Sequence, residues 1–100
     1  MHPFHLAIPV QNLEKCRTFY RDILQCKEGR TDLHWVDFNF FGHQLVIHQK
    51  DNFIPTKPIT NPVDGHDVPV PHFGEVLAWK DWTLLSKRLI ELNTEFIISP

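Results

Sequence analysis

His5 and His72 are the residues whose type and placement could do chemistry together. Each lies near the start of an apolar, strand-like run: Pro3-Phe4-His5-Leu6-Ala7-Ile8-Pro9-Val10, and Pro69-Val70-Pro71-His72-Phe73-Gly74-Glu75-Val76-Leu77. Each run leads into an amphipathic helical pattern, from about Asn12 in one case and about Lys80 in the other. A strand–helix unit that recurs with a histidine at its start reads as an internal duplication. Two such units facing each other across a pseudo-twofold axis would bring both imidazoles to one divalent ion, for which nitrogen is a good borderline donor. A lone strand histidine is more often just hydrogen-bonded or solvated, so the matched pair carries the metal reading. His48 and His43 read as a strand residue and a turn neighbour. His2, His34 and His66 read as terminus, strand-end and loop residues.

The elements that must position the two histidines follow from periodicity. In residues 3–10, Phe4, Leu6 and Ile8 alternate with His5, Ala7 and Pro9, which puts His5 and Ala7 on the face away from the helices. Asn12 is a good N-cap. Leu13, Cys16, Tyr20, Ile23 and Leu24 then recur at helical spacing, with Phe19 widening the stripe. From Leu33 to Phe40 the period returns to two, with Val36, Phe38 and Phe40 on one face and Trp35, Asp37 and Asn39 on the other. Phe41-Gly42-His43 reads as a tight turn. Gln44 to His48 is a further strand, with Leu45 and Ile47 on one face and Gln44, Val46 and His48 on the other. The first half is therefore strand, helix and three strands.

Residues 51–71 hold Pro55, Pro58, Pro62, Pro69 and Pro71 and are expected to be a proline-rich linker rather than a helix or central strand. The second half is expected to be strand, helix and strand over 72–100. Its helix carries Trp82, Leu85, Leu89 and Leu92 on one face and ends at Asn93, and the last strand runs from Glu95 to Ser99. The whole is an α+β chain organised as one domain, residues 1–100, with a first module at 1–50 and a partial second one.

Composition removes other classes. The formal charge is −2 with Lys, Arg, Asp and Glu intermixed, so there is no basic stripe for nucleic acid. No apolar run reaches the length of a membrane span, and no signal-peptide pattern is read at the N-terminus. Cys16 and Cys26 are expected to stay reduced as small apolar groups, consistent with a cytoplasmic protein.

The order and spacing of several short motifs resemble the vicinal oxygen chelate superfamily, the glyoxalase/bleomycin resistance/dioxygenase group. They are His5 in F-H-L-A-I-P-V, Asn12-Leu13 leading to Phe19-Tyr20-Arg21-Asp22-Ile23-Leu24, Trp35-Val36-Asp37-Phe38, Phe41 to His48, and Val68 to Gly74. The resemblance implies tandem β-α-β-β-β modules around a cleft, the second incomplete here. It implies a divalent metal (iron, manganese, zinc or nickel are not distinguished) held by His5 and His72 and by a carboxylate on a module's last strand. It also implies a small-molecule substrate with adjacent oxygens, dioxygenase- or lyase-type chemistry and a homodimer. Three positions depart from the pattern. Val46 stands at the first module's carboxylate position, Gln25 replaces the glycine after the first helix, and Glu75 falls on a helix-facing strand position. A non-catalytic small-molecule binder on the same scaffold, or an inactive shortened copy, therefore stays open beside the metalloenzyme.

Overall fold

A computed structural model describes residues 2–54 and 58–100. The chain divides into two compact units, Met1–Pro55 and Thr56–Pro100. The first is a complete β-α-β-β-β module. Strand β1 spans His5–Val10, helix α1 Leu13–Thr18, strand β2 Lys27–Asp32, β3 Trp35–Phe40 and β4 His43–Gln49. Asn12 caps α1 as expected, its Oδ1 accepting from the Lys15 amide at 3.0 Å. The helix then widens into a π turn over Phe19–Ile23, and Gln25 ends it in the left-handed region at φ 59°. The glycine-to-glutamine departure is thus absorbed without rerouting the chain, at a cost of about 1–2 kcal/mol.

The four strands lie in the order β1-β4-β3-β2. β1 runs parallel to β4, while β4 pairs antiparallel with β3 and β3 with β2. One face is the core: Val10, Leu13, Cys26, Val36, Phe38, Phe40, Leu45 and Ile47 are buried together, and Leu6, Ile8, Cys16, Tyr20 and Leu24 pack against them. Tyr20 is a core residue, its ring 5.5 Å from that of Phe38. Both cysteines are free; burial pushes both thiols up, which makes them inert space-fillers. Arg17 holds Glu28 through a two-pronged ion pair, the Nη2 limb at 2.8 Å, tying α1 to β2. Alternation leaves the opposite face to His5, Ala7 and Pro9, to Gln44, Val46 and His48, and to Trp35, Asp37 and Asn39.

The second unit departs from its expected elements. Strands β5, Ile59–Val63, and β6, His66–Val70, form an antiparallel hairpin inside the stretch read as a proline-rich linker. Its turn is Asp64-Gly65, with φ 51° and 79°, the two positive values of a type I′ connection. In a two-stranded ribbon every strand has an outward edge, so Pro62 and Pro69 need cost no ladder hydrogen bond. Pro55 of the same stretch lies outside the described residues. Helix α2 spans Trp79–Glu91. Asn93, at φ 56°, ends it as expected, with the Thr94 amide donating to Leu89 O and the Asn93 amide to Ile90 O, both at 3.0 Å. That double bond is a Schellman closure.

The strands expected over 72–77 and 95–99 are absent; both stretches are irregular. In the first unit β1 is bonded only to β4 and β2 only to β3. The second unit has no counterparts of β3 and β4 among its described residues, so its equivalent segments have no ladder to join. Glu75 and Leu77 are nevertheless half-buried while Val76 is 97% exposed. The alternation of side chains survives where the hydrogen bonding does not.

Candidate functional site

The open face of the first sheet carries a cavity of about 520 Å³ over its β1–β4–β3 end, lined by His5, Asp37, Asn39, Gln44, Lys27 and His43 among others. Register explains the gathering. His5 is level with Gln44, and Gln44 with Asn39. One step along, Ala7 is level with Val46, and Val46 with Asp37. Asp37 and Gln44 sit diagonally on neighbouring strands, within reach of long side chains.

Two hydrogen bonds join this row. His5 Nδ1 lies 2.7 Å from Gln44 Oε1, and Gln44 Nε2 donates to Asp37 Oδ2 at 3.0 Å. Since an amide oxygen only accepts, the His5 proton sits on Nδ1 and the lone pair is left on Nε2. His72 of the second unit has the same arrangement by a different route. Its Nδ1 is 2.7 Å from the Pro69 carbonyl oxygen, which also only accepts, so again Nε2 keeps the lone pair. His43 is the reverse case: the Phe4 amide donates to its Nδ1 at 3.0 Å, which puts the proton on Nε2. The imidazoles of His5 and His72 are exposed.

The chemistry of these donors fits a divalent metal. A metal-binding histidine almost always donates its other ring N–H to a carbonyl, carboxylate or water, which fixes tautomer and ring direction. His5 and His72 each have such a partner within their own unit. Among the described residues no group of three or more His, Cys, Asp or Glu side chains is gathered as a cluster of ligands. Val46, at the expected carboxylate position, is buried and apolar. His48 lies on the same face beside Trp35, ring centroids 6.3 Å apart. Asp37 is not paired with Arg30, whose guanidinium stands 5.6 Å over the Trp35 ring; it faces Gln44 instead. Sequence reasoning put Asp37 and Gln44 on one face but missed their link. Period-two alternation was the available signal, and strand register, which it does not contain, supplies the rest.

No family model matches this sequence, and no curated protein matches it. Among solved structures, the chain is similar to a glyoxalase/bleomycin resistance protein/dioxygenase from Alicyclobacillus acidocaldarius, with 29% sequence identity and a TM-score of 0.72. That similarity covers 92% of this chain and 64% of the other, so the chain spans less than two thirds of that protein's length. No helix among the described residues is long and apolar enough to cross a membrane. The β-α-β-β-β sheet and this structural likeness give the chain the fold of the glyoxalase/bleomycin resistance/dioxygenase group and support its resemblance to the vicinal oxygen chelate superfamily.

Proposed function

We propose that the chain is a metal-binding member of this superfamily whose site holds a small molecule through two adjacent oxygens, with His5 and His72 as two of the metal's ligands. One observation carries the proposal: both imidazoles donate from Nδ1 to a carbonyl oxygen and so offer Nε2 as a lone pair. When bound, a divalent ion supplies Lewis acidity and a template for neighbouring oxygens. The chain's own contribution is to hold the two rings in one tautomer. On the first sheet it also provides an open bay in which Asn39 and Lys27 can meet polar groups of a ligand. A homodimer is the assembly we propose for bringing a third, carboxylate donor, and the cytoplasm is the compartment in which both thiols stay reduced.

Metal titration of the purified chain tests this reading. Zinc or nickel should bind the wild type, and His5→Ala and His72→Ala should each weaken binding at least tenfold, about 1.4 kcal/mol. No bound transition metal, with neither variant different from wild type, ends it. The second reading, a non-catalytic binder, is favoured by Val46, an apolar side chain where the superfamily's carboxylate is expected. Ligand binding that survives exhaustive chelation would select it.

A further inference from the structure

The two histidines are oriented by acceptors of different kinds. Pro69 O, facing His72, is a backbone carbonyl and cannot exchange its oxygen for a donor. Gln44, facing His5, can: its amide presents an oxygen one way and an NH2 group the other. With the amide reversed, His5 Nδ1 would meet a donor, the ring proton would move to Nε2, and the lone pair facing outward would be lost.

What decides between the two settings is Asp37. A carboxylate only accepts, so it draws the Gln44 Nε2 group toward itself, at 3.0 Å, and leaves Oε1 for the imidazole at 2.7 Å. Such charge-assisted bonds are about twice as strong as neutral ones. The carboxylate stands where β2 gives it room: an added Cβ at neighbouring Gly29 would already touch Asp37 Oδ2 at 3.4 Å. Asp37 is half-buried, which keeps its attraction from being fully screened. We infer that Asp37 and Gln44 are positioning residues forming a carboxylate–amide–imidazole relay that locks His5 with its proton on Nδ1 and its Nε2 lone pair exposed. Asp37 does this without touching the ring. The tautomer lock stands on the hydrogen bonds alone; its consequence for metal affinity rests on the metal-binding reading above.

Nitrogen-15 NMR of the metal-free full chain, at a pH where the imidazoles are neutral, tests the relay directly. The wild-type His5 ring should carry its proton on Nδ1, the minor form of a free imidazole. Asp37→Asn removes the acceptor-only partner at nearly constant shape, and Gln44→Leu removes the amide; both should shift His5 toward the Nε2–H form. His72 should keep its Nδ1–H form in every variant, which makes it an internal control for the tautomer readout, and retained exchange protection of the β3 and β4 amides shows that the first sheet is intact. Zinc affinity should fall on the order of 10- to 100-fold in Asp37→Asn, the range seen when such supporting groups are removed. A wild-type His5 in the Nε2–H form, or a tautomer unchanged in both variants, overturns the relay. A shifted tautomer in a chain that binds no zinc upholds the relay and sinks the metal-binding reading instead.

Discussion

The two units start from the same plan and end in different physical states. In the first, four strands share one ladder and eight side chains are buried in a single cluster. In the second, a two-stranded ribbon and one helix are described, and none of the described residues is buried. Many of its large apolar groups stay exposed, including Trp79, stacked on Trp82 at 5.0 Å between ring centroids. The apolar content of the second unit is not poorer; it has Phe73, Leu77, Trp82, Leu85, Leu89 and Phe96. The difference is strand pairing. A helix and an extended segment become a core only when a sheet holds the apolar row flat against the helix.

The largest expected effect contrasts the two helix-facing surfaces. Phe38→Ala empties the centre of the first core, where Phe38 is 1% exposed, and should cost about 3–5 kcal/mol. Leu89→Ala on half-buried α2 should cost about 1 kcal/mol or less. Urea unfolding with hydrogen exchange, read at the β4 amides for Phe38→Ala and at the α2 amides for Leu89→Ala, measures each loss in its own unit; equal losses would abolish the contrast.

A smaller effect compares the two helix ends. Gln25 and Asn93 hold nearly the same left-handed backbone, φ 59° and 56°. Gln25→Gly should stabilise by about 1 kcal/mol, since glutamine pays the full left-handed penalty there. Asn93→Gly should gain only a few tenths, about what asparagine's tolerance of this region leaves. Thermal melts of the two variants rank them.

The smallest effect is the acid response of the first unit. The hydrogen bond from Arg17, with its nearby charge, holds the Glu28 carboxyl below the usual glutamate range. A depressed value means the pair's stabilisation is complete above the ordinary glutamate pKa of about 4.3 and is lost as pH falls through the lower folded-state value. Glu28→Gln should therefore be less stable than wild type near neutrality, and the gap should narrow as pH falls below the ordinary glutamate range. Melting temperatures across that range check the sign.

The first module was legible because its periods are unambiguous. Leu6 and Ile8, Val36 to Phe40, and Leu45 and Ile47 alternate cleanly, and Asn12 and Asn93 announce their helix ends. The hairpin was not, because Pro62 and Pro69 argue against a central strand and say nothing against a free-standing ribbon. Asp64-Gly65 was the signal that pointed the other way. Residues 72–77 and 95–99 have strand-like sequences, but a strand is a relation between two segments, and propensity describes only one of them. At the site, His5 and His72 stood out by residue type. The Asp37–Gln44 link depends on a diagonal offset between β3 and β4 that no single-strand pattern records.

The place of β1 at the end of the sheet has a further consequence for how the module comes into being. Its one hydrogen-bonded neighbour is β4, so residues 5–10 find no seat until residues 43–49 exist. On the ribosome, which adds about 5–20 residues per second, the segment bearing His5 emerges before the strand it pairs with. Its docking onto β4 closes a long loop. Until that moment the nascent histidine has neither Gln44 nor Asp37 beside it, and its ring proton favours Nε2, the nitrogen that the finished sheet leaves bare.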